Sequence, residues 1–173
     1  MRLVTYGAAC SLDGFIARAD GGVDWLVMTE DAQRVMAESW SRIDTVLMGR
    51  KTWEAAVAMG GGGSLKGIST YVFSRTMTED PAEGVTLVRQ DAGAFLRKLK
   101  ERPGKDILVM GGGELARSLF EAGLIDEVGI NVHPVLLGSG VRLFLDPGRQ
   151  VDLTLVECRP MQAGCVMLQY RTR

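Results

Sequence analysis

The chain has 173 residues, of which 46% are hydrophobic and 24% are charged. This balance is typical of a globular protein, and the length suits one compact domain, which we expect to span residues 1–173. The 20 basic and 21 acidic residues leave a formal net charge of -1. The composition therefore gives no sign of a nucleic-acid partner or of an anionic membrane as a partner.

Cysteine and histidine usage limits the chemistry further. The three cysteines, Cys10, Cys158 and Cys165, form no CxxC pair, and an odd number argues against a secreted disulfide framework, so we expect a cytoplasmic protein. The single histidine, His133, excludes a multi-histidine metal site, and we expect no metal. The N-terminal segment lacks the sustained apolar core of a signal peptide, and no later run approaches the roughly 20 residues of a membrane helix.

Short apolar runs alternate with segments of helical periodicity along the first two-thirds of the chain. Buried strands are predicted at residues 3–10, 45–48, 70–73, 85–88 and 107–110. Helices are predicted at residues 30–43, with Thr29 as the N-cap, and at 51–58, 92–101 and 114–122. A brief apolar segment at 15–17 and four consecutive glycines at 60–63 fall between these elements, and the glycines are expected to form a loop.

Strands dominate the last third of the chain. They are predicted at residues 127–132, 153–158 and 166–171. The whole pattern predicts an α/β domain in which a mainly parallel sheet is flanked by helices and extended by a C-terminal antiparallel hairpin.

Ligand chemistry is expected at the carboxyl ends of the parallel strands, where helix N-termini bring unpaired N–H groups together. At one such end, Gly49 lets the backbone approach a phosphate and Thr52 adds a hydroxyl. Arg50 and Lys51 place positive charge in the first turn of a helix, where the macrodipole alone disfavours it, and a bound anion would resolve that conflict. A tight turn with solvated basic residues explains the segment equally well.

Two further strand ends carry similar features. Gly111-Gly112-Gly113 precedes Glu114 at a strand-to-helix turn, which permits positive φ and the close approach of a pyrophosphate. Ser74 and Arg75 follow another strand and suit the 2′-phosphate that separates NADPH from NADH. A plain loop and an exposed, solvated arginine are the alternatives at these two places.

Taken together and in this order, the segments resemble the dihydrofolate-reductase superfamily, and within it the reductase half of the bifunctional riboflavin-biosynthesis deaminase/reductase. The motifs that carry the resemblance are Ser11-Leu12-Asp13-Gly14-Phe15-Ile16-Ala17, Asp24-Trp25-Leu26, Gly49-Arg50-Lys51-Thr52-Trp53-Glu54, Gly111-Gly112-Gly113 and Pro134-Val135-Leu136-Leu137-Gly138-Ser139-Gly140 with Leu143-Phe144 after it. The match spans nearly the whole chain. The sequence has no HxE or PCxxC zinc signature of a deaminase, so the resemblance implies a free-standing reductase.

The resemblance implies a three-layer αβα sandwich around a mixed sheet, with NADPH lying across the carboxyl ends of the central strands. It implies a set of cofactor-binding residues, which are Ala9 and Ile16 beside the nicotinamide, Gly49, Arg50, Lys51 and Thr52 at the phosphates, Ser74 and Arg75 on the adenosine side, and Gly111, Gly112, Gly113 and Glu114 at the pyrophosphate.

Candidates for contact with the substrate have both functional and structural interpretations. Asp31 lies four residues before Val35 and so shares its helix face, and it corresponds roughly to the helix carboxylate that binds the pterin in dihydrofolate reductases. As a catalytic residue it would position substrate or relay a proton; otherwise it is an aspartate favoured by the helix dipole. Asp13 either contacts substrate or makes an Asx turn, and Trp25 either lines the site or caps the core. His133, which precedes a proline, is expected to be structural.

The sequence thus predicts an NADPH-dependent reductase of a small heterocycle, which by resemblance is a 5-amino-6-ribosylaminouracil-type pyrimidine. Dihydrofolate reduction is one alternative, disfavoured because no WxxPxD pattern follows Trp25, and a nucleotide-binding module without turnover is another. Apolar residues are concentrated in the strand-rich segment 130–144. They predict a homodimer through the C-terminal strands, which the resemblance also implies.

Overall fold

A computed structural model describes residues 1–61 and 66–173 of the chain. The four α-helices of these ranges are α1 (Glu30–Ser41), α2 (Arg50–Ala58), α3 (Ala92–Lys100) and α4 (Gly113–Glu121), and a short 3-10 helix spans Gln162–Gly164. The strands are β1 (Val4–Ser11), β2 (Phe15–Ala17), β3 (Ile43–Gly49), β4 (Ser69–Phe73), β5 (Val85–Val88), β6 (Asp106–Met110), β7 (Glu127–His133), β8 (Val141–Arg142), β9 (Leu153–Pro160) and β10 (Val166–Thr172). Half of the predicted glycine loop at 60–63 lies outside the described residues. No helix within the described ranges is long and apolar enough to cross a membrane.

Eight of these strands form one sheet in the order β5-β4-β3-β6-β1-β7-β10-β9. The six strands from β5 to β7 are parallel to one another, whereas β10 runs antiparallel to both β7 and β9. The prediction of a mainly parallel sheet extended by a C-terminal antiparallel hairpin is therefore confirmed.

The two faces of the sheet are covered by different helix pairs, because side chains alternate between faces along a strand. On β3, Leu47 packs in the larger core cluster with residues of α3 and α4, including Leu96 and Leu119. Its neighbours Val46 and Met48 pack on the opposite face, where Trp40 of α1 and Trp53 of α2 contribute. This arrangement is the three-layer αβα sandwich that the resemblance implied.

Helix α1 begins where the sequence placed it but is less buried than its periodicity suggested. The Thr29 side chain accepts a hydrogen bond from the Ala32 backbone N–H, so the predicted N-cap is confirmed. Of the whole helix only Ala32 is buried, and Met36, one of the apolar residues that predicted the helix, is 40% exposed. Helix α1 therefore packs loosely and buries little of its own surface.

A second, two-stranded sheet was missed from the sequence. The short strands β2 and β8 pair antiparallel, with Phe15 opposite Arg142. Only two residues form β8, Val141 and Arg142, and both are exposed, so they carry no periodic signal. The pairing ties the segment after β1 to the segment that follows Gly140.

Candidate cofactor and substrate site

The first element of the site is the turn from β3 into α2. Gly49 caps the helix with an extended backbone (φ -79, ψ 161) and no side-chain hydrogen bond. The first turn of α2 contains no acidic residue, and it carries Arg50 and Lys51 instead. The positive end of the helix dipole and two cationic side chains therefore coincide, which favours a bound anion.

The second element is the turn from β6 into α4. Gly111 (φ 53) and Gly112 (φ 65) both adopt left-handed backbone conformations, which favour glycine. Gly112 caps α4 without a side-chain hydrogen bond, so the amide groups of the first helical turn have no partner from the cap. Glu114 lies in that first turn and is exposed.

These two turns meet at the hydroxyl of Thr52. A Cβ atom added at Gly112 would lie 3.1 Å from Thr52 Oγ1 and 3.8 Å from the backbone nitrogen of Gly49, and one added at Gly111 would lie 3.2 Å from the same hydroxyl. Two helix N-termini and a hydroxyl thus form one cradle that any side chain at either glycine would fill. Such a cradle suits the phosphates of a nucleotide. Gly113 differs, since its Cβ would lie 3.0 Å from Leu145 Cγ, which makes it a packing glycine.

Basic and hydroxyl side chains lie around the cradle and have donor groups that are still available. Arg50 Nη1 donates to Glu54 Oε1 at 2.8 Å, which leaves its other N–H groups available, and Lys51 is exposed. Ser74 and Arg75 directly follow Phe73, the residue paired with Gly49, so the end of β4 lies next to the end of β3, on the side away from β6. The Ser74 hydroxyl accepts hydrogen bonds from the backbone N–H groups of Thr76 and Met77, whereas Arg75 is exposed.

A groove lies beside the cradle on the central strand β1. Although β1 runs between β6 and β7, its residues Thr5, Gly7 and Ala9 are only half-buried, whereas Tyr6 between them is fully buried. The open side faces α1, because a Cβ at Gly7 would meet Leu108, which packs in the same cluster as residues of α1. The groove therefore results from small residues on β1 beneath a loosely packed helix, and it places Ala9 at its floor. Ile16 is half-buried against the main core.

Asp13 uses its carboxylate to hold a loop together. Oδ1 accepts from Ser11 Oγ at 2.6 Å and from the Leu137 backbone N–H at 3.1 Å, and Oδ2 accepts from the Gly138 N–H at 2.7 Å. These bonds, the one from Ser11 first, hold the pKa of Asp13 below its usual range. The three partners within the chain give the Asp13 carboxylate a structural role in this loop.

Asp31 is also tied within the chain, at the start of α1. Oδ1 accepts from the Ala32 N–H at 2.9 Å and from the Thr29 hydroxyl, and Oδ2 accepts from the Gln162 N–H at 2.7 Å. The hydrogen bond from Thr29, and after it that from Gln162, lower the pKa of Asp31. The carboxylate is therefore ionised at neutral pH, which suits an acceptor of hydrogen bonds and not a proton donor.

His133, for which the sequence showed no partner, is 2% exposed and lies at the centre of a cluster of side chains. Its Nδ1 accepts from the Val27 backbone N–H at 3.5 Å and lies 3.4 Å from Cys165 Sγ. The Trp25 ring packs edge-on against the imidazole, with centroids 5.4 Å apart, and the Asn131 amide lies 3.4 Å from Nε2. Burial lowers the pKa of His133, so the imidazole is neutral.

Asn131 and Cys165 were missed as parts of this cluster. Cys165 comes from the last turn before β10, far from His133 in the sequence. Asn131 carried a usable signal, because it precedes His133 by two residues on a strand and therefore shares its face. The register pairs Asn131 with Ala9, which places it at the floor of the groove.

The fold defines an α/β protein of the dihydrofolate-reductase type. Dihydrofolate reductase from Enterococcus faecalis, in a complex with NADP(H), superposes with a TM-score of 0.74 over 99% of this chain and 96% of that chain, at 16% identity. The family model described as the RibD C-terminal domain matches residues 2–167, and the chain belongs to that family.

Two relatives extend over nearly the whole chain. YyaP, an uncharacterised protein of Bacillus subtilis, is 32% identical over 180 residues, which cover 98% of this chain and 94% of YyaP. A crystal structure from Shewanella sp. PV-4, described as that of a candidate riboflavin biosynthesis protein, has a TM-score of 0.86 and 26% identity, and it covers 99% of both chains. These comparisons support the resemblance found in the motifs.

Proposed function

We propose that the protein is an NADPH-dependent reductase of a small heterocyclic substrate of the 5-amino-6-ribosylaminouracil type. The observation that carries the proposal is the cradle at Thr52, where the N-termini of α2 and α4 meet beside the open groove on β1. Membership of the RibD C-terminal domain family and the likeness to the Shewanella protein support a reductase of the riboflavin-pathway type.

The cradle and the groove would bind different parts of the cofactor. Gly49, Lys51 and Thr52 at the start of α2 and the turn at 111–114 at the start of α4 would hold the phosphates, since neither helix has a side-chain N-cap. Arg50, Ser74 and Arg75 would bind the 2′-phosphate on the adenosine side. Ala9 and Ile16 would then flank the nicotinamide, which supplies the hydride when the cofactor is bound.

The protein's own contribution is orientation within the groove. A substrate ring lying on Ala9 beneath α1 would face the nicotinamide on one side and the start of α1 on the other. There the ionised Asp31 would accept a hydrogen bond from a substrate N–H and fix the ring. Because this carboxylate keeps its negative charge at neutral pH, its role in the proposal is positioning.

Oxidation of NADPH in the presence of candidate substrates tests the proposal. We expect turnover with 5-amino-6-ribosylaminouracil or its phosphate, and the loss of NADPH absorbance measures it. Turnover with dihydrofolate alone would instead identify a folate enzyme, and tight NADPH binding without turnover would identify a nucleotide-binding module. A protein that binds no NADPH would refute the proposal outright.

We also propose that the protein is a cytoplasmic homodimer built through its C-terminal strands. Strand β9 forms one edge of the eight-stranded sheet, with Leu153, Leu155 and Val156 exposed by 38%, 53% and 53%. A long apolar edge strand requires cover, and two-fold pairing of identical chains is the commonest form of it.

Light scattering tests the dimer directly. We expect a mass of about twice the 18.8 kDa of one chain at micromolar concentration. Leu155→Asp should dissociate the dimer, whereas Val57→Asp, a similarly exposed position on α2 (48%), should not. A monomeric mass for the parent protein at all concentrations would refute the dimer without affecting the proposed activity.

A further inference from the structure

Two buried polar atoms in the His133 cluster have no hydrogen-bond partner among the described residues. They are Nε1 of Trp25 and Oδ1 of Asn131. Buried polar groups in native proteins are nearly always paired, so two unpaired atoms in one cluster point to a partner from outside the chain. Both residues contact the same imidazole, and Asn131 lies at the floor of the groove next to Ala9.

The protonation state of His133 determines which group Asn131 presents. Because Nδ1 accepts a hydrogen bond from the Val27 N–H, the proton of the neutral imidazole is carried by Nε2. Nε2–H requires an acceptor, and the Asn131 amide nitrogen, 3.4 Å away, cannot provide one. Turning the amide by 180° within the same volume places Oδ1 against Nε2–H and pairs both atoms. The amide NH2 then replaces Oδ1 as the unpaired group.

Trp25 presents a donor as well, because an indole Nε1–H only donates. The cluster therefore contains two unpaired N–H donors. The charges around it favour a neutral acceptor, since the ionised Asp31 is close enough to Cys165 to raise the pKa of that thiol, after the larger effect of burial, and Cys165 contacts His133. A ligand carboxylate or phosphate would be repelled there, whereas a carbonyl oxygen would not.

We propose that Trp25 and Asn131 form a donor pair that binds a carbonyl oxygen of the ligand in the groove, and that His133 holds the Asn131 amide in its donating orientation. The proposal deepens the proposed function, because the ligand would be the substrate of that reductase. Trp25 and Asn131 are then binding residues that select a ring bearing a carbonyl group, and His133 is a positioning residue. Since both donors are buried, the loop that carries Trp25, between β2 and α1, must move to admit the ring.

Binding can be measured separately from turnover with two matched probes. The probe 5,6-diaminouracil carries ring carbonyls, and 2,4,5,6-tetraaminopyrimidine replaces those carbonyls with amino groups. We expect the NMR signal of the Trp25 indole N–H, identified by its loss in Trp25→Phe, to shift on titration with the first probe and not with the second. Equal binding of both probes, or an unmoved indole signal on saturation with the first, would overturn the proposal.

Variants test the individual roles. Trp25→Phe keeps a ring but removes the N–H, and it should weaken binding of 5,6-diaminouracil about five- to twentyfold, as expected for one lost hydrogen bond. Trp40→Phe on α1 is the matched control and should change the affinity less than twofold, within the ordinary scatter for a position without a direct contact. Wild-type affinity in Trp25→Phe would contradict the role of the indole.

Asn131→Asp and His133→Phe separate binding from positioning. Asn131→Asp removes the donor with little change of shape, and His133→Phe keeps the ring but releases the amide. We expect each to weaken binding, and the double variant to be no weaker than Asn131→Asp alone, because both act on the same amide. Additive losses would show that His133 acts only by packing. If the parent protein binds 5,6-diaminouracil as expected but oxidises no NADPH with any pyrimidine, the proposed function fails and this donor pair stands.

Discussion

The two helix layers differ in how closely they cover the sheet. On the face of α3 and α4, Leu96 and Leu119 have no exposed surface, whereas on the opposite face each helix has a single buried residue, Ala32 in α1 and Trp53 in α2. The first half of the central strand β1 shows the same contrast, with Val4 and Tyr6 fully buried on the first face and Thr5 and Gly7 half-buried on the second. The layer of α3 and α4 is therefore the close-packed one, and the looser layer of α1 and α2 lies on the side of the groove in which we place the substrate.

Truncating one core leucine should give the largest effect. Leu119→Ala should lower the free energy of unfolding by about 2–5 kcal/mol, through lost burial and the cavity left behind. Met36→Ala on α1, where the side chain is 40% exposed, should cost less than about 1 kcal/mol. Urea unfolding of both variants measures the difference. Similar losses in the two variants would show that α1 is packed as closely as α4.

The close-packed layer is also the part that the sequence predicted well. Apolar runs such as 107–110 gave the strands, because parallel strands buried on both faces have continuous apolar sequences. Local periodicity gave α4, whose inward residues Leu115, Leu119 and Phe120 are all buried. In this layer local pattern and tertiary packing agree.

The loose layer was harder to predict, because its contacts join residues that are distant in the sequence. His133 depends on Val27 and Cys165, which belong to two other segments of the chain. Asp31 bonds to Gln162, a contact that no local pattern indicates. The glycine turns could be found from the sequence, but their meeting at Thr52 depends on β3 and β6 being neighbours in the sheet.

The next effect should appear in cofactor choice, at the rim of the cradle. If Arg50 or Arg75 binds the 2′-phosphate, replacing either with Ala should weaken the binding free energy of NADPH by about 1.5–3 kcal/mol. The preference of the protein for NADPH over NADH should become smaller. Arg97→Ala, at an exposed position in the last turn of α3, is the control and should leave both affinities unchanged. Titration of the parent protein with both cofactors comes first, and equal affinities would refute the assignment.

A substitution at Gly112 should separate backbone strain from cofactor binding. Gly112 and Gly123 both have φ 65, so Ala at either position should cost about 1–2 kcal/mol of stability. Only at Gly112 does the new Cβ enter the cradle, 3.1 Å from Thr52 Oγ1, whereas at Gly123 it meets the guanidinium of Arg149 at 3.5 Å. NADPH affinity should therefore fall about tenfold or more in Gly112→Ala alone, as for a lost hydrogen bond to a charged group. Equal NADPH affinity in the two variants would place the phosphates elsewhere.

The smallest effect on binding is expected at Asp31, where the loose layer meets the groove. Asp31→Asn keeps an acceptor at Oδ1 for two of the three hydrogen bonds but removes the charge, so kcat/KM for the substrate should fall while NADPH affinity stays nearly unchanged.

The pH dependence adds a second test of Asp31. Because its pKa is lowered in the folded protein, the stability it contributes is present above the unfolded value of about 3.9 and is lost as the pH falls through the folded value. Kinetics near neutral pH should therefore show no titration of this group, in contrast to a proton relay, which would give a pH-dependent limb that Asp31→Asn abolishes. If Asp31→Asn turns over substrate at the unchanged rate but no longer loses stability as the pH falls, the carboxylate has only a structural role. It then serves to connect α1 to Gln162 and does not contact the substrate.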